Sequence, residues 1–178
     1  MLRIKVCEES WDPNSQEFVY TKEQILDLEH SLVALSKWES KWCKAFLTKR
    51  EKSDEEILDY IKFMTLTENV DPDVYNHLSR ENVEDIRKYI ESPMTATHIS
   101  SQGGQSSKET VTSELIYYWM ITLNVPFECE NWHLNRLLTL IKVCNAKNQP
   151  PKKTNSKALA SKYAALNAAR RKQLNSTG

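Results

Sequence analysis

Cys129, His133 and Cys144 fall close together and are the side chains of this sequence best suited to hold a metal. Cysteine and histidine are the usual zinc ligands, and a closed structural site takes four of them. Three stand here, while His30, His77 and His98 lie far away along the chain. The spacing matches no closed zinc pattern, so no metal is expected. Cys129 and His133 could instead form a nucleophile pair, which requires hydrogen-bond reach and a lowered thiol pKa. No signature of a cysteine nucleophile surrounds them. The carboxylate clusters Asp54-Glu55-Glu56 and Glu81-Glu84-Asp85 fall in the first turns of expected helices, where negative charge suits the helix dipole. The chain has no phosphate-cradling glycine loop, no HExxH motif and no GxSxG elbow. Neither catalysis nor a cofactor is expected.

Binding is the better-supported chemistry. Trp38 and Trp42 stand one helical turn apart, with Phe46 one turn further, and Trp119 and Trp132 flank a break at Pro126. Large aromatics at turn spacing serve either a core or a groove that anchors a partner helix. Charge gives a second feature. The chain holds 24 basic and 24 acidic residues, yet residues 152–178 carry seven basic side chains and no acidic one. Residues 1–151 therefore carry 17 basic against 24 acidic residues, a net of −7 beside a tail of +7. Such asymmetry points the tail at an anionic partner, including the body of another copy. Tyr163 is the tail's one aromatic residue, so a base-stacking platform has little support and nucleic acid is an unlikely partner. The candidate partner-binding residues are Trp38, Trp42, Tyr118, Trp119, Trp132, Lys152, Lys153, Arg170 and Arg171.

These residues need elements to position them. The 178 residues are 40% hydrophobic and 27% charged, a core-forming composition with only three glycines. No apolar run approaches the ~20 residues needed to cross a bilayer. The opening MLRIKVCEES lacks a signal-peptide apolar region, so neither a membrane nor a secretory location is expected. The four cysteines are widely spaced and expected to be reduced. Leu2, Ile4 and Val6 alternate with polar residues, and Phe18, Val19 and Tyr20 follow a turn cluster at Asp12-Pro13-Asn14-Ser15. This predicts a small N-terminal hairpin. Ile25, Leu28, Leu32, Leu35, Trp38, Trp42 and Phe46 form one stripe at helical spacing, predicting a long helix over residues 22–46. A capping box at Ser53–Glu56, Asp71-Pro72 and Ser79 open three short helices, with Ile57, Tyr60, Ile61, Met64, Val83, Ile86 and Ile90 facing inward.

Residues 100–107, rich in glycine and serine, read as a mobile loop. Ser106 and Glu109 make a second capping box, predicting a helix over residues 107–123. Its segment 115–121 is apolar nearly all round, as in a helix that is centrally buried or covered by a partner. Another helix is expected over residues 131–147, with Trp132, Leu134, Leu137, Leu138, Ile141 and Cys144 toward the core. Pro150-Pro151 breaks the chain before an alanine-rich basic helix from Ser156. The expectation is a mainly α fold, a bundle of about six helices with a small N-terminal β-hairpin. It comprises a domain over residues 1–150 and a basic helical tail over residues 151–178.

Several stretches carry a resemblance. They are Leu28-Glu29-His30-Ser31-Leu32, Leu35-Ser36-Lys37-Trp38-Glu39-Ser40-Lys41-Trp42, Met94-Thr95-Ala96-Thr97, Thr112-Ser113-Glu114-Leu115-Ile116-Tyr117-Tyr118-Trp119-Met120, and Trp132-His133-Leu134-Asn135-Arg136-Leu137-Leu138-Thr139-Leu140-Ile141. Together with Asn167-Ala168-Ala169-Arg170-Arg171 they resemble a family of small proteins of long-tailed bacteriophages, the tail assembly chaperones. The resemblance implies a non-catalytic protein of the host bacterial cytoplasm. It would bind the helical, aggregation-prone tape measure protein, help recruit major tail tube subunits, and leave before the virion is complete. Competing expectations are a structural neck or tail protein that persists in the virion, and a small basic-tailed nucleic-acid-binding phage protein. Self-association through the tail is a further expectation.

Overall fold

The computed structural model describes residues 1–12, 16–97, 109–148 and 156–174. The loop expected at residues 100–107 lies outside them, as do Lys152 and Lys153. The fold is mainly α, with an N-terminal two-stranded hairpin.

Strands β1 (Leu2–Asp12) and β2 (Glu17–Leu28) pair antiparallel, with Leu2 opposite Leu28 and Ile4 opposite Leu26. The inward residues Ile4, Val6, Leu26 and Leu28 are buried. On the other face Arg3 forks onto Asp27, with Nε–Oδ1 at 2.7 Å and Nη2–Oδ2 at 3.0 Å. Lys5 meets Glu23 at 2.7 Å. Opposite charges across the ladder add to its pairing. The long helix expected over residues 22–46 is therefore corrected: its first part is strand, and Ile25 is exposed on the outer face. Ile25 and Leu28 satisfy the helical period, but Leu26 and Leu28 satisfy the two-residue period as well. Pairing with β1 and burial of one face select the strand.

Helix α1 (Leu32–Trp42) starts where the Ser31 hydroxyl accepts the Ala34 N–H at 3.2 Å. It ends at Cys43, whose φ of 51° is left-handed and whose N–H returns to the Glu39 carbonyl. Helix α2 (Asp54–Met64) opens with the expected capping box, Ser53 and Glu56 bonding each other's backbone. A 3-10 helix (Pro72–His77) follows its Asp71 cap, and α3 (Arg80–Glu91) begins at a second box formed by Ser79 and Asn82. Helix α4 (Ser113–Thr122) starts later than the Ser106–Glu109 box suggested, because Thr112 is the residue that caps it. A 3-10 turn (Phe127–Asn131) leads to α5 (Leu134–Asn148). The expected core positions Leu134, Leu137 and Ile141 of α5 are buried, while Trp132, Leu138 and Cys144 are half-buried at its margin.

Two apolar clusters flank α1. Ala34 and Trp38 face the first, with the hairpin, Tyr60, Ile61, Met64, Tyr75, Ile86 and Tyr89. Leu32 and Leu35 face the second, with Ile116, Met120, Val125, Leu134, Leu137 and Ile141. Backbone bonds join the halves to the strand end. Glu29 N donates to the Met64 carbonyl at 2.8 Å, Leu66 N to Asp27 at 2.8 Å, and Leu134 N to His30 at 2.7 Å.

The chain divides into two compact units, Met1–Ala146 and Lys147–Gly178. The second contains α6 (Ser156–Leu174), whose residues 160–174 are exposed on every side. Among the described residues no helix is long and apolar enough to cross a membrane.

Candidate partner-binding surface

Of the side chains best suited to hold a metal, Cys129 and His133 are buried and Cys144 is half-buried. Cys129 is buried, and burial pushes its thiol pKa up, away from the thiolate a nucleophile needs. Both ring nitrogens of His133 are engaged: Nε2 donates to the Tyr89 carbonyl at 3.0 Å, and Nδ1 accepts the Asn135 N–H at 3.3 Å. Its ring stacks edge-on against His30 and Tyr89, with centroids at 5.1 and 4.9 Å. His30 Nδ1 lies 2.6 Å from the Tyr60 hydroxyl. Burial, with help from His133, drives the His30 pKa down to about 3, and burial also lowers that of His133. The Tyr89 hydroxyl donates to Glu29 at 2.6 Å, and Glu29 pairs with the Met1 amine at 2.8 Å. This chain of contacts knits β2, α2, α3 and α5 together; it presents no nucleophile or open ligand position to solvent. Among the described residues no three His, Cys, Asp or Glu side chains are placed to hold a metal.

Two buried carboxylates fix the helices that carry the surface. Glu56 accepts Lys44 at 2.8 Å, Arg50 at 3.0 Å and the Ser53 N–H at 3.0 Å. The Lys44 bond, then Ser53 and Arg50, hold its carboxyl down to about 2. Glu39 accepts the Phe46 N–H at 2.9 Å and the Ser113 N–H at 2.7 Å. The second bond places a carboxylate at the first residue of α4, where it satisfies an orphan donor and suits the dipole. Tyr117 then ties α4 to the following turn through Glu130 at 2.8 Å.

The aromatic candidates separate by burial. Trp38 is 0% exposed, and its Nε1 donates to the Glu56 carbonyl at 2.7 Å. It belongs to the core and is withdrawn as a partner contact. Trp42 is half-buried beside it, with ring centroids 6.3 Å apart and Lys41 and Lys44 each 5.6 Å from its ring. Trp132 is half-buried under the Arg136 guanidinium, 4.0 Å from its centroid. Tyr118 and Trp119 differ. Tyr118 is 60% exposed, and Ile121, one turn on, is 61% exposed. Trp119 lines a groove of about 380 Å³ between α4 and α5, with Leu123, Leu138 and Ile141 also lining it and Lys142 and Asn145 completing the wall. The apolar helix is thus buried on one side only, through Ile116 and Met120. Arg170 and Arg171 are exposed on α6, in the second unit.

Sequence reasoning missed a second groove. Ile57 and Val83, expected to face inward, are 41% and 43% exposed. They line a cleft of about 400 Å³ between α2 and α3, with Phe46, Ile61, Ile86 and Ile90. The available signal was the width of the apolar stripe on α3, where Val83, Ile86 and Ile90 accompany Tyr89.

Against protein-family models, curated proteins and solved structures, the chain finds no match.

Proposed function

We propose that this protein is a non-catalytic chaperone of bacteriophage tail assembly. It binds helical segments of the tape measure protein, helps recruit major tail tube subunits in the host cytoplasm, and is absent from the finished virion. The observation that carries the reading is the α4–α5 groove, an apolar trough lined by Trp119, Leu123, Leu138 and Ile141. Tyr118 and Ile121 stand exposed on the same helix, α4. Aromatic and aliphatic side chains in a trough are what an amphipathic partner helix needs, since its i, i+3 and i+4 apolar residues seat in such a site. A tape measure protein is a long helical chain of that chemistry, and covering its apolar stripe would keep it soluble.

The test is co-expression with the tape measure protein, scoring soluble recovery. Thr122 is exposed and lines the groove, so Thr122→Arg fills the trough without touching the core. Wild type should hold the tape measure protein in solution, and Thr122→Arg should lose most of that recovery while keeping its own helical signal. Insoluble tape measure protein beside wild type, or equal recovery with Thr122→Arg, contradicts the reading. Persistence of the protein in purified virions would replace it with a structural neck or tail role.

A further inference from the structure

The α2–α3 cleft is a second apolar trough, about 400 Å³ in volume, with Ile57 and Val83 open to solvent. The segment that builds it is acidic in sequence. Residues 51–97, which contain α2, the first 3-10 helix and α3, hold twelve acidic and five basic side chains, a net of −7. Residues 1–50 balance at eight of each sign, and residues 98–151 at four of each. The whole acidic excess of the body therefore sits in the segment that builds this cleft. Asp54 stands one turn before Ile57 on α2, and Glu84 adjoins Val83 on α3, where it pairs with Arg80 at 3.6 Å; Glu91 and Arg87 both line the cleft and pair with each other at 3.1 Å.

One other segment of the chain is opposite to this one in charge and carries a stripe of similar length. Residues 152–178 carry +7 with no acidic residue. On α6 the positions 163, 166, 170 and 174 recur at helical spacing, and Tyr163, Leu166 and Leu174 among them are exposed. Arg170 lies within that stripe, with Lys162 and Arg171 on its flanks. From Tyr163 to Leu174 the stripe runs about three turns, ~16 Å at 1.5 Å per residue, which is also the length of α2. An apolar stripe with basic flanks fits an apolar trough whose one lining ion pair, Arg87–Glu91, is neutral and whose helices belong to a segment of net negative charge.

We propose that the α2–α3 cleft is the docking site for the basic helix α6 of a second copy of this chain. Each copy then offers one cleft and one helix. The two surfaces are different, so the contact is heterologous and copies join head to tail instead of closing as a symmetric pair. The proposal is independent of the tape measure reading, since it needs only the chain itself.

The experiment is sedimentation velocity on the full chain from about 1 μM to about 100 μM, the range where modest specific interfaces assemble. It is repeated at about 50 mM and about 500 mM salt, because exposed charge pairs are screened at the higher value. Two variants isolate the two surfaces: Ile57→Lys with Val83→Lys in the cleft, and Arg170→Glu with Arg171→Glu on α6. All four positions are exposed, so circular dichroism should match wild type. Wild-type mass should grow with concentration and shrink at least tenfold in association constant at high salt. Each variant alone should remain monomeric. An equimolar mixture of the two should give a one-to-one heterodimer that grows no further, because it retains one intact cleft and one intact helix. Wild type that stays monomeric throughout, a variant that associates like wild type, or a mixture without heterodimer overturns the proposal.

Discussion

The two halves on either side of α1 are built differently. The hairpin, α2 and α3 close around Trp38, Tyr60 and Met64, and their ends are pinned by polar groups. Two capping boxes start the helices, Glu56 gathers Lys44, Arg50 and Ser53, and Lys41 pairs with Asp59 across α1 and α2. The α4–α5 half has a smaller cluster and one buried carboxylate, Glu39, holding the start of α4. It also leaves Trp119 half-buried and Tyr118 and Ile121 exposed. The lesson is that both halves present an apolar trough but are held differently: the α2–α3 cleft lies between helices pinned by several polar groups, and the α4–α5 groove between helices held by fewer. Regions with fewer buried contacts open at lower free energy, which suits a surface that must accept a partner.

Breaking the secured half should have the largest effect. Trp38→Ala removes the fully buried ring of the helix both halves share, at a cost of about 3–5 kcal/mol, and thermal unfolding should show both halves lost together. A much smaller shift in midpoint would mean that α1 is not the common wall.

Glu39→Ala tests the looser half. It strips the Phe46 and Ser113 N–H groups of their acceptor, a loss of about 1–3 kcal/mol. Hydrogen exchange should quicken in α4 while the hairpin keeps its protection. Equal loss in both would erase the distinction.

Acid tests the seam between the halves, where His30 meets His133, Tyr60 lies beside one ring and Tyr89 beside the other. Both histidines are kept neutral in the fold, His30 down to about 3. Below the ordinary histidine value near 6.5 the unfolded chain takes up protons that the folded chain refuses, so stability falls as pH drops toward 3. His30 alone should cost about 2 kcal/mol between pH 6.5 and pH 5. Glu56, held at about 2, adds its loss only below its ordinary 4.5. Urea midpoints at pH 7 and 5 read this directly, and a His30→Phe variant should flatten the slope; an unchanged slope would place the effect elsewhere.

The smallest effect refines the secured half. Gln24 Oε1 is buried without a hydrogen-bond partner opposite Val6. Gln24→Leu should raise stability by about 1 kcal/mol, readable as a higher urea midpoint. A lower midpoint would show that the side chain does more than fill space.

Much of the secured half was legible because its signals are local. Ser53–Glu56, Asp71-Pro72 and Ser79 each announce a helix within four residues, and the structure places helices there. The far strand was not legible: Ile25 and Leu28 fit a helix, and only pairing with β1 some twenty residues away decides against it. The start of α4 was misread because Ser106 and Glu109 carry a stronger motif than Thr112, which in fact caps it. The binding surface was half legible. Trp38 and Trp119 look alike in sequence, each on an apolar stripe, and the packing of the other helices decides which is buried. The sharp localisation of negative charge to residues 51–97 was present in the sequence, but it acquires meaning only once α2 and α3 are seen to frame a cleft.

The most direct measurement of the central claim is hydrogen exchange by mass spectrometry on the full chain, alone and in complex with co-expressed tape measure protein. Protection should rise in α4 and α5, with the hairpin unchanged. Protection that rises in neither helix, or only in α2 and α3, would contradict the assignment of the α4–α5 groove as the partner site.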